Sequence, residues 1–139
     1  MGKFLLIVTM IVGLSGHVRA QTNEAIPDPA IEAVIQSQID AFRADDFAKA
    51  FTFASPTIQG IFGTVDRFAA MVRQGFPMVQ DPDEVRFLEL RSIRGEVWQK
   101  VLVRDASGAY HALDYQMIPS GDGWQIDGVQ LLRAPQVGA

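Results

Sequence analysis

Between Pro77 and Pro82 the apolar pattern of this chain changes period, and that change limits it to one class of fold. Before it, apolar residues recur at helical spacing. After it, they alternate. A helix needs the first pattern to bury one stripe, and a half-buried strand needs the second.

The helical part opens at Asp28-Pro29, an N-cap followed by a proline at the first helical position. A first helix is predicted from Pro29 to Ala44. Ile31, Val34, Ile35, Ile39 and Phe42 share its inner face. Gln38 falls in the same stripe. A buried carboxamide must find partners, so Gln38 either ties this helix to another element or faces a cavity. A second helix starts at Asp45 or Asp46, with Phe47, Ala50, Phe51 and Ala54 as its stripe, and stops before Pro56. A short turn or helical fragment follows over Thr57–Phe62. Thr64 caps a third helix, whose inner face is Val65, Phe68, Met71 and Val72, and Gly75 suits a left-handed position just past its end.

The alternating part contains four β-branched or aromatic runs: Val85–Ile93, Val97–Arg104, Ala109–Ile118 and Trp124–Leu132. The separators Gly95, Asp105–Gly108 and Ser120–Gly123 are short enough to make antiparallel hairpins. Asp127-Gly128-Val129 interrupts the last run and predicts a bulge. The expected fold is α+β: three N-terminal helices packed on one face of a four-stranded antiparallel sheet. One domain over residues 29–133 and a tail over 134–139 account for this part of the chain.

Residues 1–20 read as something else. Lys3, the apolar run Phe4–Leu14, and Val18 and Ala20 before a cleavage point make a secretory signal peptide. The run is far shorter than the about 20 residues that cross a bilayer. The expected location is therefore outside the cytoplasm, which for a bacterial chain is the periplasm, with no membrane attachment once the signal is cut. Gln21–Asp28 is polar and proline-bearing and is expected to be a flexible lead-in. Without Lys3 and Arg19, the twelve basic residues fall to ten against sixteen acidic ones, a net charge of −6. Such a chain repels phosphate backbones, so nucleic acid is not an expected partner. There are no cysteines, so stability must come from packing, which roughly 120 residues can supply.

Two stretches resemble a known family. The sequence from Ala41 to Val72, AFRADDFAKAFTFASPTIQGIFGTVDRFAAMV, is similar to the signature of the domain of unknown function 4864 family, and GDGWQIDGVQLL, Gly121–Leu132, is similar to its C-terminal strand. The family is bacterial, often exported and without an assigned activity. The resemblance implies a nuclear transport factor 2-like cone, in which a curved sheet wraps around helices. By analogy with such cones it suggests a homodimer through the outer sheet face. It carries over no catalytic residue.

If the apolar strand faces turn toward the helices, Gln99, His111 and Tyr115 point inward with Gln38. A few polar groups inside an apolar cone is the composition of a ligand pocket. These four residues are the expected binding set for a small apolar or amphipathic molecule. Acid–base catalysis in the same cavity is an alternative, through His111, the sole histidine once His17 leaves with the signal, or through Asp114 beside Tyr110, or Asp127. A protein-interaction module with a filled cavity is another. No cofactor motif or metal-ligand set is present: Asp81, Asp83 and Glu84 lack calcium-loop spacing, and one histidine without cysteine does not make a zinc site. In Phe51–Gly63 the aromatic residues are expected to pack, with Phe53, Ile58 and Phe62 best placed to touch a ligand as well. Trp98 and Trp124 fit either strand packing or a pocket rim.

Overall fold

The computed structural model describes residues 22–133. The expected export signal over 1–20 and the tail over 134–139 lie outside that range.

Helix α1, Pro29–Arg43, begins where the sequence places it: Asp28 accepts from the Ala30 amide at 2.9 Å, with Pro29 in the first turn. Ile31, Ile35, Ile39 and Phe42 are buried along one side, with Gln38 among them. The chain then turns through Asp45, which adopts a left-handed φ of 58°, a conformation aspartate tolerates better than most residues. Asp46 caps α2, Phe47–Thr52, by accepting from the Lys49 amide at 3.0 Å. Ser55 caps α3, Pro56–Phe62, and Thr64 caps α4, Val65–Gly75. A 3₁₀ turn over Pro77–Val79 leads into the sheet.

The sheet has five antiparallel strands in sequential order: β1 Thr22–Ala25, β2 Glu84–Ile93, β3 Glu96–Arg104, β4 Tyr110–Ser120 and β5 Gly123–Leu132. Val101 and Val103 of β3, Leu113 and Met117 of β4, and Ile126 of β5 form its buried inner face. The core lies between that face and the helices. It includes a chain of rings in which Phe68 meets Phe51 at 4.9 Å, and Phe42 and Phe62 at 6.0 Å each.

Two bulges interrupt the ladder. On β2, Leu88 and Glu89 fall between the pairs Phe87↔Val101 and Leu90↔Gln99. On β5, Asp127 falls between Gly128↔Gln116 and Ile126↔Met117, within the segment where the sequence predicts a bulge. The second is anchored from the helical layer. Ser55, fully buried, donates its hydroxyl to Asp127 Oδ1 at 2.7 Å, and its own Oγ caps α3 by accepting from the Ile58 amide at 3.2 Å. The Ser55 amide donates to Ile126 O at 2.8 Å, and the Ile126 amide to Phe53 O at 2.9 Å. Phe53–Ser55 thus covers part of the β5 edge, which would otherwise present unpaired backbone groups.

Three expectations need correction. The sheet has five strands rather than four, because Thr22–Ala25, read as flexible lead-in, pairs with Leu90–Ile93. The fragment after Pro56 is a helix in its own right, so the described residues hold four α-helices. Gly75 is the last residue of α4 rather than a left-handed residue beyond it, and Phe76 is the cap.

Candidate functional site

The helices do not close fully on the sheet. A cavity of about 240 Å³ remains between them. Gln38 and Phe42 of α1, Ile58 and Phe62 of α3, and Phe68, Met71 and Val72 of α4 line it from the helical side. Tyr115 of β4 and Ile126, Gly128 and Val129 of β5 line it from the sheet, and Phe76 and Val79 close the end between them. Ile58, Phe62, Met71, Phe76 and Val129 are only half-buried, and they form the rim.

Each wall follows from a local rule. The caps at Ser55 and Thr64 fix where α3 and α4 begin, and so which of their residues face inward. The β5 bulge puts Ile126 and Val129 on the same face despite their odd spacing, since the extra residue resets the alternation. Phe76, at the end of α4, packs against the core and lines the cavity at its rim.

Two polar side chains interrupt the apolar lining, and both are nearly enclosed. Gln38 is 5% exposed and Tyr115 1%. The Gln38 amide donates one bond, at 3.2 Å, to the Ala50 carbonyl. Its Oε1 has no hydrogen-bond partner among the described residues, and neither has the Tyr115 hydroxyl. Yet neither atom is sealed off by protein. Both residues line the cavity. Burial pushes the Tyr115 hydroxyl well above the usual phenol range, so it stays a neutral donor.

The other two members of the expected set lie elsewhere. Gln99 faces inward and is buried, but does not line the cavity. Its amide donates to Leu88 O at 3.0 Å and Lys100 O at 2.8 Å, which holds the β2 bulge together. His111 is on the same strand face as Tyr115 but four residues away, roughly 13 Å along the strand. There its Nε2 meets Asp105 Oδ2 at 2.7 Å. The Asp105 carboxyl is gathered into the β3–β4 turn by the Ser107 hydroxyl at 2.6 Å and by the amides of Ser107 and Ala109. These contacts, the Ser107 hydroxyl foremost and then the His111 ring, hold it well below the usual carboxylate range. The pair is a turn clasp on the surface, remote from the cavity.

The remaining candidates separate in the same way. Asp114 turns to the outer face and pairs with Arg91 through two bonds, 2.9 and 2.6 Å. Tyr110 is exposed. Asp127 is bound to Ser55. Trp98 also lies on the outer face, its ring nitrogen donating to Glu96 at 3.3 Å, whereas Trp124 packs against the core. In the acidic run, Asp81 lies 4.0 Å from Arg43 and Glu84 2.6 Å from Arg86. Of the aromatic stretch, Ile58 and Phe62 reach the cavity and Phe53 does not. Met71, Phe76 and Val79 were not foreseen as lining. Met71 and Phe76 belong to apolar patterns that read equally well as core, and Val79 lies in a connector without periodicity.

The cavity therefore offers the Gln38 carbonyl oxygen as an acceptor, and the second Gln38 amide proton and the Tyr115 hydroxyl as donors, among hydrocarbon walls. Among the described residues that line it there is no carboxyl group, imidazole or cation. The sequence profile of a family described as a domain of unknown function (DUF4864) matches residues 24–139. No curated protein and no solved structure matches the chain. The match spans all but the first two described residues, helices, sheet and cavity alike, and the chain belongs to the DUF4864 family.

Proposed function

We propose that this is an exported protein that binds a small apolar or amphipathic molecule in the cavity between its helices and sheet. The observation that carries the reading is the hollow itself, about 240 Å³ of apolar-walled space with two nearly buried, incompletely partnered polar groups. Packed interiors rarely retain voids of that size. A lost contact also costs stability in proportion to the space left. Pockets for small molecules have this composition of apolar walls and few polar groups. Acid–base catalysis is less well supported, because the lining supplies no group with a suitable proton affinity.

The finer architecture fits this reading. A nuclear transport factor 2-like cone is a curved sheet around helices, and the bulges on β2 and β5 support curvature, since a bulge bends its strand. Export to a bacterial periplasm rests on the pattern of residues 1–20. The homodimer rests on the cone analogy alone.

Native mass spectrometry of the protein purified without denaturant from the compartment to which it is exported tests the proposal. The expected spectrum shows a small non-covalent adduct that disappears in Val129→Trp, where a larger ring fills the rim. A spectrum of bare protein, together with no rise in unfolding temperature when small apolar probes are added, overturns it.

A further inference from the structure

The chemistry of the lining narrows the class of molecule. An engineered apolar cavity of about 150 Å³ holds benzene. In proportion, 240 Å³ holds about ten non-hydrogen atoms, the size of two fused rings. The rings of Phe42, Phe62, Phe68 and Phe76 form much of the wall, and aromatic ligands gain from offset or edge contacts with such rings beyond simple burial.

Charge is the second constraint. Among the described residues that line the cavity there is no lysine, arginine or histidine to meet an anion, and no aspartate or glutamate to meet a cation. An ion entering the cavity would lose its hydration without gaining a partner, which is far more costly than burying a neutral polar group. Carboxylates and ammonium groups are therefore disfavoured.

The third constraint is the hydrogen-bonding valence left over. Gln38 Oε1 can only accept. The Tyr115 hydroxyl and the second Gln38 amide proton can donate, and none of these three groups has a hydrogen-bond partner among the described residues. A hydroxyl is the smallest neutral group that can donate to Gln38 Oε1 and accept from Tyr115 or from that amide proton. We propose that the cavity takes a neutral, ring-bearing alcohol or phenol of about ten non-hydrogen atoms, its hydroxyl satisfied by Gln38 and Tyr115. This inference rests on the cavity being a binding site at all.

Equilibrium dialysis of the mature chain at neutral pH against three probes of equal ring size separates the two ideas. The probes are naphthalene, 2-naphthol, which is neutral at that pH, and 2-naphthoate, which is an anion. 2-Naphthol is expected to bind about tenfold more tightly than naphthalene, the worth of one net hydrogen bond. 2-Naphthoate is expected to bind at least about a hundredfold more weakly than 2-naphthol. Tyr115→Phe and Gln38→Leu should each bring the naphthol-to-naphthalene ratio toward one. Should Gln38→Leu unfold the chain, Tyr115→Phe, which loses a single oxygen, carries the test. Equal binding of naphthol and naphthalene, or tighter binding of naphthoate, overturns the assignment of ligand class while leaving the cavity as a site. Failure of all three probes to bind overturns the cavity reading itself.

Discussion

Asp114 and Tyr115 are neighbours in β4, are both buried, and point to opposite faces of the sheet. The outer member is a charged group with every demand met: Arg91 reaches across β3 and grips both carboxylate oxygens. The inner member is neutral, lines the cavity, and has no hydrogen-bond partner among the described residues. One backbone step separates a group that the fold satisfies from one that it leaves open. A buried ion survives only when paired and hydrogen-bonded, so its completeness reports on stability. A hydroxyl that lines a cavity without a protein partner adds no hydrogen bond to the fold and is available to whatever enters the cavity. The difference separates structural polarity from site polarity more sharply than burial does.

The largest effect should come from breaking the satisfied side. Both partners of the outer pair are mostly shielded, with side chains 13% and 9% exposed. Arg91→Leu strands the Asp114 carboxylate and should destabilise the fold by about 3 kcal/mol, read as a lower urea midpoint at unchanged slope. Replacing both, Arg91→Leu with Asp114→Leu, should recover most of that loss, because the uncompensated charge is gone. If the single variant costs under about 1 kcal/mol, the pair behaves as a surface bridge and the contrast between the two faces disappears.

How much of this contrast was legible in the sequence depends on what each feature rests on. The alternation of Leu113, Tyr115 and Met117 against Asp114 and Gln116 assigned the faces correctly, because the strand period is two and needs no tertiary information. Gln38 was visible for a similar reason, as a polar residue on an apolar stripe. The Asp127 bulge was visible because an aspartate-glycine pair broke the alternation. The roles of Gln99 and His111 were not legible. Gln99 is committed to carbonyls at a bulge in a neighbouring strand, and nothing in Arg86–Leu90 marks that bulge. His111 is claimed by Asp105, whose carboxyl is aimed by the turn. Strand β1 escaped notice because Thr22–Ala25 is short and mostly polar, and owes its conformation to the edge of β2. The cavity was expected from a family likeness together with polar residues on apolar faces, and periodicity placed Gln38 and Tyr115 in its lining; most of the other walls come from packing, which periodicity does not encode.

The turn clasp should give a smaller, pH-dependent effect on the surface. Asp105 has its carboxyl held well below the ordinary value by the Ser107 hydroxyl, and next by the His111 ring. A carboxyl depressed in the folded state stabilises it fully above the unfolded value, about 3.9, and loses that contribution as pH falls from there toward the folded value. Asp105→Asn should therefore lower the unfolding temperature at neutral pH, and the gap to the wild type should close as pH falls below about 4. A gap of constant width would mean that hydrogen-bond geometry, not charge, holds the turn. Because this group is solvated, unlike Asp114, its loss should be the milder of the two.

The smallest expected change in stability is at the open side of the comparison. If the Tyr115 hydroxyl made a hydrogen bond within the protein, Tyr115→Phe would cost about 1 kcal/mol, the usual net worth of such a bond. If it faces the cavity without a partner, the same substitution removes a polar group from an apolar enclosure. The fold should then be unchanged to within about 0.5 kcal/mol, or slightly more stable. Urea unfolding of the empty protein distinguishes the two. A loss near 1 kcal/mol would mean that Tyr115 is as satisfied as Asp114, and the cavity would keep only Gln38 as a polar contact. A null result in the empty protein, set beside the loss of naphthol preference expected for the same variant, would mark Tyr115 as a group held for a ligand at the fold's expense. Sites of that kind are ones where function and stability pull apart.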